Sequence, residues 1–296
     1  MSWLLLISIS ALVLGIYDVC KKHAVASNAV MPVLWLATAF GTLTVILWQA
    51  GSGKLAGSFN ITGATWFFLF LKSVLVACSW ICAYYAMRAL PITIVAPIRG
   101  SQPLWTVLGA FIILKEFPTA LQLGGIIIIV AGYFLFSVLG KREGIRFHAD
   151  RGVLLMFAAS VLGAASALYD KYLLQPVGLT PDIVQFWYQI NLAVILGLVR
   201  IFQNLAGLSL TAFVWRWTII PTGLLLVISD WFYFSALHEP GVLISILSPL
   251  RRLNAIFSFI IGGIIFREGN KRKKFIALLV IAAGVAILYS ASFKVK

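Results

Sequence analysis

An all-α integral membrane protein, with ten transmembrane helices built as two inverted five-helix repeats, is the fold this sequence predicts. Three observations predict it. Of 296 residues, 61% are hydrophobic and 11% charged, whereas soluble domains are roughly one-quarter charged. Apolar runs of the ~20 residues that a bilayer-spanning helix requires recur along the chain between short polar breaks. The chain also matches itself at a constant offset of 152 positions, the mark of an internal repeat.

Taken in order, the runs place helices near 3–24, 29–48, 65–88, 92–114 and 120–139, a first unit over residues 1–140. The charged stretch 141–151 is a connector. Helices near 152–174, 181–202, 217–237, 241–266 and 274–293 make the second unit, 152–296. The first run reads as a retained helix and not a signal peptide, because it lacks a basic start and carries Tyr17, Asp18 and Lys21 where a cleavage region would lie. At the repeat offset Tyr17-Asp18 falls on Tyr169-Asp170, Pro97 on Pro249, Arg99 on Arg251, Gln102 on Asn254, Thr106 on Ser258, Lys115-Glu116 on Arg267-Glu268 and Gly132 on Gly284. A short indel interrupts the match between the third and fourth helices. An odd number of spans per unit turns the second copy upside down, the architecture of alternating-access carriers with a site near the midplane.

Charge and reactive residues exclude several classes. The formal net charge is +14, but the 23 Lys and Arg are spread over short loops and helix ends, so no basic module for nucleic acid is expected. Cys20, Cys78 and Cys82 lie in apolar segments without metal-ligand spacing and read as small buried residues. His23, His148 and His238 are far apart. No nucleophile-base pair or metal cluster emerges, so neither an enzyme nor a cofactor is expected.

The polar residues of the fourth segment, Arg99, Gln102 and Thr106, are spaced i, i+3, i+7 and share one helical face at about 100° per residue. The ninth segment repeats them as Arg251, Asn254 and Ser258, with Arg252 as an added cation. At about 1.5 Å per residue, Arg99 lies roughly 10 Å inside its segment. An arginine at the helix centre costs about 2.5 kcal/mol or more on insertion scales, so these side chains are expected to face a wet cavity. Pro97 and Pro249 each remove a helical hydrogen bond, to the carbonyls of Thr93 and Ser245, and read as helix breaks lining that cavity.

Acids and aromatic residues extend the expected site. Asp18 and Asp170, each preceded by a tyrosine, are either halves of structural ion pairs with nearby lysines or with Arg99 and Arg251, or groups that titrate and couple transport to protons. Asp230 is a third intramembrane acid. Tyr84, Trp231 and Tyr233, with Trp80 and Tyr85, are candidates for pocket walls and hydrogen-bond donors. Gly124, Gly125, Gly132, Gly262, Gly263 and Gly284 read as close helix packing.

With its Lys115-Glu116 and Arg267-Glu268 turns, each followed by a glycine-bearing helix such as Gln122-Leu-Gly-Gly-Ile-Ile-Ile-Ile-Val-Ala-Gly132, the chain resembles the ten-helix EamA branch of the drug/metabolite transporter superfamily over nearly its whole length. The resemblance implies a bacterial cytoplasmic membrane, termini in the cytoplasm, and a transporter whose substrate the fold leaves open. In the phosphate-exchanging branch a basic residue on the fourth helix and a basic pair on the ninth hold phosphate, and Arg99 and Arg251-Arg252 are similar in placement. In the four-helix relatives a carboxylate of the first helix carries the coupling proton, and Asp18 sits comparably.

Guanidinium groups match carboxylate and phosphate with paired hydrogen bonds. The leading expectation is therefore a carrier of small anionic or zwitterionic metabolites, phosphorylated ones included. Its alternatives are a proton-coupled exporter of amino acids or cationic drugs, and a lipid-head-group flippase. The expected partners are a small-molecule substrate and the bilayer, with monomer and homodimer both open. Basic residues crowd the loops after odd-numbered helices, which by the positive-inside rule places both termini outside, against the orientation the resemblance implies.

Overall fold

The computed structural model describes residues 2–89, 98–99, 101–138, 150–208, 211–254, 256–258, 261 and 271–293. Among them every regular element is helical. The helices are α1 (Trp3–Val25), α2 (Val30–Gly51), a single turn α3 (Leu55–Ser58), α4 (Gly63–Ala89), α5 (Gln102–Ile113), α6 (Ala120–Val138), α7 (Arg151–Leu174), α8 (Pro181–Leu205), α9 (Ile219–His238), α10 (Ile244–Arg251) and α11 (Lys271–Phe293). Six of them, α1, α2, α4, α7, α8 and α9, are long and apolar enough to cross a membrane, and α5, α6 and α11 hold shorter apolar stretches. Large apolar side chains such as Leu47, Ile112, Ile127, Leu198 and Phe202 stand exposed on the outside, as suits a lipid solvent. This is a multi-pass membrane protein.

Local chemistry accounts for the boundaries. Asp150 caps α7 by accepting from the Gly152 and Val153 N–H groups, and Thr180 with Pro181 starts α8. Thr119 and Gln122 exchange hydrogen bonds as a capping box at the start of α6. Two segments depart from the expected continuous helices. The expected helix 241–266 stops at Arg251, Arg252 and Leu253 form a turn, and helical geometry resumes at Asn254. Of the expected helix 92–114, Ile98 and Arg99 are helical and α5 starts only at Gln102, while Pro97 lies outside the described residues. Both polar stripes thus fall at interruptions rather than along one uninterrupted face. Pro249, inside α10 two residues before its end, supplies a physical cause for the second.

The long helices pack as α1 with α9, α4 with α7, α2 with both α8 and α9, α4 with α8, and α6 with α11. Glycines set two of these seams. A Cβ on Gly223 would lie 2.8 Å from the Gly41 nitrogen, and one on Gly284 2.9 Å from the Gly125 carbonyl, so neither seam tolerates a larger residue. Ser10 and Ser229 tie α1 to α9 by donating to each other's carbonyl oxygen. Gly262 and Gly263 lie outside the described residues. The cysteines differ from their expected burial: Cys20 and Cys82 are half-buried and Cys78 is exposed, because the face of α4 that carries Cys78 is not covered by a neighbour.

The start of α1 and the end of α11 meet where Tyr289 donates to the Leu4 carbonyl at 2.9 Å. This terminal end also holds the α2–α4, α5–α6, α7–α8 and α9–α10 connections. At the opposite end Asn28 donates to the Val214 carbonyl and accepts its N–H, and His23 bonds Thr218.

Candidate functional site

Between these ends the helices assemble two polar groups. The first is built on α1. Gly15 allows Asn254 and Ser258 to approach so closely that a Cβ there would lie 3.0 Å from the Asn254 carbonyl and 3.2 Å from the Ser258 nitrogen. One turn further along α1, the Asn254 amide donates to Asp18 at 2.6 Å. Lys21 lies over two rings, with Nζ 5.3 Å from the Tyr17 centroid and 5.6 Å from that of Tyr84 on α4, close enough for cation–π attraction. Arg99 and Asp18 are both within electrostatic reach of Tyr17, Lys21 and Tyr84. Lys21, Tyr17, Tyr84, Trp80, Thr38 and Thr222 line a narrow, partly open cleft together with Val33, Leu34 and Leu226. Among the described residues neither Lys21 nor Arg99 makes an ion pair. One carboxylate faces two cations, so the group carries a surplus positive charge.

The second group is balanced in charge. Lys72 of α4, 2% exposed, pairs with Asp170 of α7 and lies 4.4 Å and 5.0 Å from the ring centroids of Tyr188 and Phe234. Arg251, at the end of α10, pairs with Asp230 of α9 and stacks over Tyr233 at 4.1 Å. Two cations here meet two carboxylates. Asp170 and Asp230 lie within electrostatic reach of each other, and Asp230 also reaches Tyr17 of the first group. Arg251 Nε and Asn254 Oδ1, both buried, find no hydrogen-bond partner among the described residues. A buried polar atom left unpaired is costly.

The other expected residues divide. Gln102 packs against Gly163 of α7, with its Nε2 2.7 Å from where a Cβ would stand. Thr106 is buried and turns its hydroxyl onto its own helix, to the Gln102 carbonyl at 3.2 Å. Arg252 and Ser258 are half-buried and engaged in interactions of their own. Trp231 points towards the terminal end, where its indole donates to Asp182 at 2.9 Å. Tyr169 leaves its neighbour Asp170 and stacks on Tyr172, centroids 5.8 Å apart.

Sequence reasoning missed Lys72, although a lone lysine inside Phe67-Phe68-Leu69-Phe70-Leu71-Lys72-Ser73-Val74-Leu75-Val76 is the same signal that drew attention to Arg99. It also gave Lys21 only the role of a partner for Asp18.

The fold and these groups define a membrane protein with two sets of charged side chains held inside a helical bundle. Residues 1–138 match the EamA-like transporter family, which together with the apolar helices supports a membrane transporter. No curated protein matches the sequence. Among 29 solved chains that match in structure, one crystal structure superposes with a TM-score of 0.78 over 98% of each chain at 14% identity; a likeness at that identity speaks for the fold alone.

Proposed function

We propose that the chain is a secondary carrier of small anionic or zwitterionic metabolites, phosphorylated ones included, working by alternating access between two inverted five-helix repeats that make ten spans. Exchanging the repeats supports this architecture: it turns the α1–α9 pair into α7–α4, and α2–α9 into α8–α4, while α2–α8 and α6–α11 map onto themselves, all of them packed pairs. The observation that carries the substrate class is the cleft-side group, where Lys21 and Arg99 outnumber Asp18. A bound anion supplies the missing charge there, and its other polar atoms meet Asn254 Oδ1 and Arg251 Nε. Tyr17, Tyr84 and Trp80 provide walls that exclude water and give direction to hydrogen bonds.

Counterflow in proteoliposomes tests the reading, with panels of phosphorylated sugars, amino acids, cationic drugs and fluorescent lipids. Trans-stimulated uptake of an anion or zwitterion, lost in Arg99→Gln, is the expected result. Uptake of cations alone under a pH gradient would replace this reading with a proton-coupled exporter, and transbilayer movement of lipid alone with a flippase.

A further inference from the structure

The Lys115-Glu116 turn lies outside both charged groups, yet Glu116 is only 6% exposed. A carboxylate so placed requires compensation. Its Oε1 accepts the Ile244 N–H at 3.0 Å, and its Oε2 accepts both the N–H and the hydroxyl of Ser245 at 2.9 and 2.7 Å. These are the first two residues of α10, whose N-cap residue, Leu243, has no side-chain oxygen to offer. Lys171 of α7 stands 3.5 Å from the same carboxylate and donates to the Val242 carbonyl. One turn later Gln175 donates to the Leu237 and Glu239 carbonyls at 2.7 and 3.1 Å.

The turn itself aims this carboxylate. α5 ends with the Glu116 N–H returning to the Ala110 carbonyl at 3.1 Å, across Lys115 at φ 51°. That is the left-handed closure that usually takes glycine, and it throws residue 116 off the helix axis towards α10. Negative charge then sits against the positive end of the α10 dipole, and Lys171 balances it. Along the eight residues of α10, about 12 Å at 1.5 Å per residue, the other end of the helix is Arg251.

We infer that Glu116 is a positioning residue: a latch by which the first half grips the broken helix of the second, holding Arg251 against Asp230 and sealing the terminal end of the bundle. That its release opens this end rests on the carrier reading. The contacts within the latch do not.

The test uses the full chain with Cys20, Cys78 and Cys82 replaced by Ala and a reporter at the buried Ser248, Ser248→Cys, labelled by a membrane-impermeant maleimide. Glu116→Gln keeps the shape but leaves one acceptor and no charge, and should speed labelling about tenfold in protein that remains monodisperse. Ser245→Ala removes only the hydroxyl and should speed it about threefold. Unchanged labelling in both variants overturns the latch, as does labelling that rises only in step with loss of folded protein on size exclusion. Faster labelling in a protein that moves no solute in any panel leaves the latch standing and overturns the carrier reading.

Discussion

Asp18 and Arg99 on one side fall on Asp170 and Arg251 on the other at the 152-residue offset of the sequence, but the two sets have unlike surroundings. Asp170 is met by Lys72, and Arg251 by Asp230. Among the described residues Asp18 accepts from the Asn254 amide, and Arg99 pairs with no described acid. The difference comes from two helices that are themselves equivalent: α4 contributes a lysine and no acid, while α9 contributes an aspartate and neither lysine nor arginine. Both unmatched charges go to the same group. On the proposed carrier reading, one side is an electrostatic strut and the other a charged binding surface, and loss of a single residue should act on stability in the first and on transport in the second.

The sharpest test of this contrast is Lys72→Met. Deleting one member of a buried pair leaves its partner uncompensated, at a cost of about 3–5 kcal/mol, so this variant should give little monodisperse protein in detergent. Replacing both members is far milder, because the desolvation cost of two ions disappears with their attraction. Lys72→Met with Asp170→Asn should recover most of the thermal stability, and the cycle should show strong coupling. A single variant as stable as the parent would mean that the strut carries no weight.

Next in size is Arg99→Gln. No described acid loses its partner, so the melting temperature should stay near that of the parent. The half-saturating concentration of an anionic solute should rise about thirty- to a hundredfold, the roughly 2–3 kcal/mol of a desolvated charge pair with the ligand. If stability falls and affinity holds, Arg99 belongs to a strut after all. Lys21→Met should be smaller, about fivefold in affinity, since the two tyrosine rings keep the apolar stem in place and only a shared cation is lost.

How far the sequence shows all this depends on range. Helix boundaries such as Trp3–Val25 and Arg151–Leu174 fall within a residue or so of the apolar runs, because in lipid each helix satisfies its own backbone. The two charged groups were legible as charges in the wrong solvent: Arg99 and Asp18 fall in one, and Asp170, Asp230 and Arg251 in the other. Their pairing was not. Whether Arg251 meets Asp18, Asp170 or Asp230 depends on which helices touch, and that is set by small-residue seams such as Gly41 against Gly223, which periodicity does not rank. The assumed continuous stripe also hid the turn after Arg251, and Thr106, on the other stripe, turns its hydroxyl onto its own helix at the Gln102 carbonyl. The Glu116 turn was recognised as a motif and left without a task, since its partner lies 128 residues away.

The weakest expected effect lies at the rim. Lys54 and Asp182 join the α2–α4 connection to α8 at 2.6 Å, but the lysine side chain is 58% exposed, and exposed pairs contribute about 0–1 kcal/mol. Asp182 keeps the Trp231 indole, and its carbonyl keeps the Gln49 amide, whatever happens to Lys54. Lys54→Met should therefore shift the melting temperature by no more than a degree or two, while 0.5 M salt should reproduce the same small change in the parent by screening. A loss comparable to that of Lys72→Met would place the main strut at the solvent rim instead of among Tyr188, Phe234 and Asp170, and the contrast between the two buried groups would no longer explain which charges hold the bundle together.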